Sequence, residues 1–313
     1  MEELNVAIFC LRGSTKRLLM IGGGMNIDSK QNNLSKRHKT SILAFAHITR
    51  AGGNTLLHIL RYNYFLRSCD VRPLSKQSGG IFCAEDMAKT LIINPFIECI
   101  MGHSVRPHSN LDEVFPNIKY ISMLRNPVDQ YISIYLQRVR KHGKLSFEEF
   151  LKLDRSNFQT KFISGTEDLS AAKAILSEKY FAVGISEEFD GFLTILTKKL
   201  HPRFFVPSYR IVNVSKDKNT KGVILSKYRD KIIEKNKLDV ELYDYVKEVI
   251  LPSEKAIYGS AFEKDVKKLK ERCKTGNVPI VRGHIDYLFR KVYYKHTTGI
   301  VRVLNGMPAK GLK

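Results

Sequence analysis

The chain reads as an α/β fold, a mainly parallel sheet flanked by helices, on three observations. Short apolar runs without alternation, such as Ile42-Leu43-Ala44-Phe45-Ala46, have the length and composition of strands buried on both faces. Turn-forming segments close these runs, and apolar residues at helical spacing follow them. The length of 313 residues, 43% hydrophobic and 27% charged, suffices for a sizeable core and excludes wholesale disorder, collagen and coiled coil.

Residues 1–40 read as a partly irregular leader. Gly22-Gly23-Gly24 opens a polar stretch without apolar period, and no helix pattern follows that would make these glycines a phosphate loop. The apolar stretch at 6–11 is short and follows Glu2 and Glu3, where a signal peptide carries positive charge. No run reaches the ~18 apolar residues of a membrane span. Order is expected from Ser41, with a first strand at 42–46 and a helix at 55–66 carrying Leu57, Leu60 and Tyr64. A second strand at 96–101 ends in Gly102-His103. A third, at 118–124, ends in Arg125-Asn126-Pro127. Behind it Val128, Tyr131, Ile132 and Tyr135 mark one face of a helix running to about 141. Pro127 suits a first helical position, where its missing N–H has no partner to lose. A strand at 180–184, a helix at 187–200, a helix from near Ser226 and another with Leu242, Tyr245, Val246 and Val249 complete a domain at 41–251. Residues 252–313 read as a basic C-terminal extension with a helix at 253–270.

The charge narrows the function. Lys and Arg number 52 against 31 Asp and Glu, a net charge of +21. Such an excess calls for an anionic partner: nucleic acid, an acidic membrane face, a polyanionic glycan or a phosphate-rich small molecule. The bland alternative is a solvated surface. Residues 252–313 are the most basic region, with fourteen basic and five acidic side chains. Cys10, Cys69, Cys83, Cys99 and Cys273 are widely spaced with no C-x-x-C pair. That spacing argues against a disulfide framework or structural zinc and fits a reducing compartment.

The segment Arg50-Ala51-Gly52-Gly53-Asn54-Thr55 has the chemistry of an anion cradle. Paired glycines let the backbone approach a ligand, and the following helix points its free N–H groups and positive dipole end at the loop. Arg50 adds a cation and Thr55 a hydroxyl. The Walker pattern is absent, because no Lys-Ser or Lys-Thr follows the glycines. The competing structural reading is a tight turn in which Thr55 only caps the helix.

His47-Ile48-Thr49-Arg50-Ala51-Gly52-Gly53-Asn54-Thr55-Leu56 resembles the H-I-P-K-T-G-G-T-T-L loop of sulfotransferases that use 3′-phosphoadenosine 5′-phosphosulfate (PAPS). The resemblance is to the carbohydrate branch, which includes heparan and chondroitin/dermatan enzymes, and it implies a P-loop-like three-layer fold. Thr49 replaces the family Pro, Arg50 the Lys, and Ala51 and Asn54 the Thr residues. In the family this loop grips the 5′-phosphosulfate. The second family signature is a strand followed by R-[DN]-P and a Ser eight residues after the Arg, which bind the 3′-phosphate. Here these are Arg125-Asn126-Pro127 and Ser133. Arg125 alone would read as a surface ion pair. Weaker likenesses extend the match from about 42 to 251: Asn157-Phe158-Gln159-Thr160-Lys161 resembles N-x-Q-T-R, Val183-Gly184-Ile185-Ser186-Glu187-Glu188-Phe189 resembles V-G-L-T-E-x-F, and Leu238-Asp239-Val240-Glu241-Leu242-Tyr243 resembles L-D-x-x-L-Y.

Sulfuryl transfer needs positioning, charge stabilisation and a base for the acceptor hydroxyl. His103 is the expected base. It ends a strand at the edge where open α/β sheets place ligands, and the family branch carries a G-H there. The bland alternative is a structural histidine. His47 is expected to buttress the first loop, and Glu85 and Asp86 are weaker candidates for the base. Arg106 and His108 are expected to meet the acceptor. Arg50 would stabilise the leaving group as a permanent cation, since guanidinium is a poor proton donor.

These readings combine into a PAPS-dependent sulfotransferase acting on a carbohydrate hydroxyl, with PAPS as co-substrate and no metal. The alternatives are a nucleotide-dependent, kinase-like phosphotransferase and a non-enzymatic polyanion-binding protein. Expected partners are a carbohydrate acceptor such as an acidic polysaccharide, no specific nucleic acid, and peripheral membrane contact through the basic C-terminal segment. A cytoplasmic location is expected, with a fragment of a Golgi-lumenal enzyme as the alternative.

Overall fold

The computed structural model describes residues 41–200, 205–207, 209, 218–275 and 281–308. The leader reading, with Gly22-Gly23-Gly24 and Cys10, lies outside them. Five strands form one all-parallel sheet: β1 (Leu43–Ala46), β2 (Ser68–Asp70), β3 (Cys99–Gly102), β4 (Lys119–Leu124) and β5 (Tyr180–Ile185). Their spatial order is β2-β3-β1-β4-β5. This is the expected α/β architecture, three layers with the sheet in the middle.

The unbroken apolar runs follow from burial on both faces. Along β1, Ala44 and Ala46 enter one core, and Leu43 and Phe45 enter the other. Along β4, Tyr120 and Leu124 face the first core and Ile121 and Met123 the second. The second face is covered by α1 (Gly53–Tyr64) through Leu56, Ile59 and Leu60. The first is covered by α2 (Ala84–Ile93), with Met87 and Leu91 buried. After β4 come α3 (Pro127–His142), α4 (Phe147–Lys152), α5 (Phe158–Ser164) and α6 (Leu169–Glu178). Phe162, Ile163, Ala172 and Leu176 join the first core. Beyond β5, α7 (Phe189–Leu200) packs Phe192, Leu193 and Leu196 into the second core.

The C-terminal part is helical: α8 (Lys218–Lys235), α9 (Lys237–Tyr245), α10 (Leu251–Tyr258), α11 (Phe262–Thr275), α12 (Val281–Leu288) and α13 (Lys295–Leu304). Residues 41–313 group as one compact unit. A π-helical turn, Val246–Ile250, carries α9 into α10. Pro252 sits in the first turn of α10 and has no N–H for an i→i−4 bond, a defect a π turn absorbs. Another π segment, Phe289–Tyr294, joins α12 to α13. None of the described helices is long and apolar enough to cross a membrane, and the four described cysteines are free.

Several expected boundaries move for physical reasons. The run at 96–101 pairs only from Cys99, because Phe96 lies outside the sheet and is 74% exposed. The three-residue β2 has no apolar run and went unpredicted. The helix expected at 253–270 breaks at Gly259, whose φ of 87° a helix cannot hold. The helix expected near Ser226 begins earlier, at Lys218.

Candidate active site

Chain order reverses around β1: the next two strands lie on one side of it and the last two on the other. A reversal of this kind opens a crevice at the carboxyl ends of the strands, where ligands of open α/β sheets bind. The loops after β1, β3 and β4 meet there, and they carry Arg50, His103 and Arg125.

Six successive carbonyls of the β1–α1 connection are each held by a donor. Ser122 Oγ donates to Ala46 at 2.7 Å, His103 Nδ1 contacts the His47 oxygen at 2.6 Å, and the Ala51 amide donates to Ile48 at 3.4 Å. Gln130 Nε2 donates to Thr49 at 2.8 Å, Arg125 Nη1 to Arg50 at 3.1 Å, and Ser186 Oγ to Ala51 at 2.8 Å. With the acceptors engaged, the uncommitted backbone groups are the N–H groups opening α1. Its N-cap is Gly52, which has no side chain to cap the helix, and its first turn holds no acid. Thr55 is its third residue rather than its cap, and Asn54 is exposed. The arrangement has the chemistry of an anion cradle.

The glycines are required sterically. Gly52 sits at φ 77°, and a Cβ on Gly53 would fall 2.3 Å from the His47 ring and 2.9 Å from Phe45. Arg50 itself is left-handed at φ 63°, which costs a residue with a Cβ roughly 1–2 kcal/mol. Its carbonyl is gripped by Arg125, and its Nε donates to Ser133 Oγ at 2.7 Å across 83 residues of sequence. The cradle and the Arg125–Ser133 motif are therefore one surface. Burial, then the charges of Arg125 and Arg140, push the Arg50 guanidinium below its ordinary pKa. Neither Arg50 nor Arg125 pairs with a carboxylate among the described residues. Two adjacent guanidiniums without a counter-ion make a site for an anion.

The weaker sequence likenesses turn out to be the scaffold. Gln159, fully buried, accepts from the Arg125 amide at 3.0 Å and donates to the Arg125 carbonyl at 2.8 Å, as a neighbouring strand would. Asp239 accepts from the amides of Gln159 and Thr160 at 2.9 and 2.7 Å and from the Thr160 hydroxyl at 2.7 Å. Ser186 also reaches the Leu124 carbonyl at 3.1 Å. Glu187 accepts from the Asn126 amide at 3.1 Å and the Tyr243 hydroxyl at 3.2 Å. Ser122 and Gln130 gave no local sequence signal as site residues, since their contacts span 76 and 81 positions, and Ser186 was marked only by its place in the likeness at 183–189.

His103 is exposed at the end of β3, its ring 4.3 Å from that of His47. A carbonyl can only accept, so the 2.6 Å contact to His47 places the proton on Nδ1 and leaves the Nε2 lone pair free. Thr49 Oγ1 lies 3.3 Å from the same Nδ1. His47 stacks on Phe45 with centroids 5.0 Å apart. Burial first, then His103 and Arg61, lowers its pKa to about 3, so it is a neutral buttress.

Arg106 and His108 are engaged by the protein itself. Arg106 donates to the His103 carbonyl, and its guanidinium lies 3.4 Å from the Phe162 ring centroid; burial lowers its pKa to about 10. His108 Nδ1 pairs with the Ile163 carbonyl at 3.0 Å. Both therefore brace the His103 loop against α5. Asp86 is fully buried as the third residue of α2, accepting from the Leu74 amide at 2.9 Å and from the amide of the N-cap Cys83 at 3.3 Å, while Glu85 pairs with Lys89 at 2.8 Å. Among the described residues no three His, Cys, Asp or Glu side chains are grouped to hold a metal.

No protein-family model matches the chain, and no curated protein matches it.

Proposed function

We propose that the chain is a PAPS-dependent sulfotransferase acting on a carbohydrate hydroxyl. The observation that carries this reading is the Arg50–Ser133 hydrogen bond of 2.7 Å, with Arg125 on the Arg50 carbonyl. It joins the two family-like motifs into a single cationic surface at the sheet's carboxyl edge.

The residues fit the co-substrate. Arg50, Ala51, Gly52, Gly53, Asn54 and Thr55 supply a cation and open backbone amides for the phosphosulfate, and Arg125 with Ser133 supplies donors for the 3′-phosphate. When bound, PAPS supplies an activated sulfuryl group with a bisphosphate leaving group. His103 Nε2 takes the proton of the attacking hydroxyl, and the His47 carbonyl holds its ring in the tautomer that permits this. Arg50 stays positively charged and stabilises the negative charge that builds on the departing oxygen. A kinase-like reading has less support, because no lysine of the Walker pattern follows the glycines.

Radiolabelled PAPS incubated with a panel of glycans should yield labelled glycan, and His103→Gln should reduce it at least a hundredfold. Heat stability should rise with 3′,5′-adenosine bisphosphate and not with ATP. Equal stabilisation by both, or labelling unaffected by His103→Gln, would sink the proposal.

A further inference from the structure

A second cationic site lies away from the Arg50–Arg125 surface. A cavity of about 500 Å³ opens between the carboxyl end of β2 and the helices α12 and α13. Arg72, Arg290, Lys291, Lys295 and Arg302 line it; Asp286 behind them pairs with Arg290 at 2.7 Å, and the one carboxylate in the lining is Asp70. That carboxylate is already shared, accepting from Arg61 and, at 3.1 Å, from Arg290. Arg302 is only 7% exposed; it donates to the Pro73 carbonyl, and its buried Nε has no partner. Burial, followed by repulsion from Arg72, holds the Arg302 guanidinium below its ordinary pKa. Tyr287, Tyr294 and Leu74 give the cavity an apolar wall. Arg290, Lys291 and Tyr294 belong to the π-helical segment Phe289–Tyr294, a geometry that recurs at functional sites.

We propose that this cavity binds a small organic anion, a phosphate, sulfate or carboxylate carried on a flat apolar body. Asp70 and Asp286 offset Arg61 and Arg290, while Lys291 and Arg302 pair with no carboxylate among the described residues and leave positive charge that an anion would neutralise. A volume of about 500 Å³ is that of an ordinary small-molecule pocket. The tyrosines offer faces for a ring while the lysines and arginines hold the charged end. This proposal is independent of sulfuryl transfer, since none of the lining residues belongs to the cradle or to α3.

The test separates the two anion sites. Arg125→Ala protein, its fold checked by circular dichroism, is titrated calorimetrically with phenyl phosphate at low salt. One saturable site is expected, weakened by added salt, and inorganic phosphate should bind more weakly because it lacks the ring. Lys291→Gln with Arg302→Gln in that background should weaken phenyl phosphate at least tenfold. In the otherwise unmodified chain, Thr298→Trp fills the cavity without removing a charge and should delete one phenyl phosphate site. The inference is overturned if Arg125→Ala protein binds no phenyl phosphate, or if binding survives both the charge removal and the filling.

Discussion

Gln159 offers the sharpest test of how the candidate site is held. Its fully buried amide makes two bonds of 3.0 and 2.8 Å to the backbone of Arg125, the residue that grips the Arg50 carbonyl. Gln159→Leu keeps the approximate volume but strands the N–H and C=O of Arg125. Each stranded buried group costs about 1–3 kcal/mol, so a loss of ~2–5 kcal/mol of folding stability is expected. Gln159→Glu retains an acceptor for the amide but sets a carboxylate oxygen against the Arg125 carbonyl in a dry site, and should be at least as damaging. Urea unfolding measures the stability. Calorimetric titration with 3′,5′-adenosine bisphosphate measures the site, and both variants should bind it at least tenfold more weakly while folded. A Gln159→Leu protein within 0.5 kcal/mol of the parent, with unchanged affinity, would refute the positioning role; that bound is about the scatter of ordinary surface substitutions.

Three further outcomes are expected. His47 binds its proton at about pH 3 when folded and near 6.5 when unfolded, so between those values the unfolded chain holds the extra proton and stability rises with pH. Cooling of stability from pH 6.5 down to 5 should therefore approach ~1.4 kcal/mol per pH unit from this group alone. His58 and His108, also lowered chiefly by burial, add in the same direction; His47→Gln should flatten the slope by up to one proton, and an identical slope would count against the buried neutral ring. Gly53→Ala should cost about 1–3 kcal/mol and weaken bisphosphate binding, because its Cβ meets the His47 ring at 2.3 Å. Gly222→Ala, with open space around it inside α8, should instead stabilise by ~0.5–1 kcal/mol in thermal melts.

What the sequence made legible and what it did not divide along a physical line. Features that repeat locally were readable: the two-sided burial of β1 and β4, the helix behind Pro127, and the glycine pair that must pass beneath His47. Features made by distant partners were not. Ser122 and Gln130 look like ordinary polar residues until the fold brings each to a carbonyl of the β1–α1 segment. Arg106 and His108 read as groups that meet the acceptor, and only Phe162 and Ile163, more than fifty residues away, show them bracing the loop. Arg50 combines both kinds of information. Its place after an apolar run and before two glycines marks an anion site, yet nothing local indicates a left-handed φ of 63°. That conformation persists because Arg125 and Ser133 hold the residue at both ends, backbone and side chain. A strained residue fixed from two sides, with its charge uncompensated, is what a preorganised anion site requires. Removing either anchor should therefore loosen the cradle before it affects the fold.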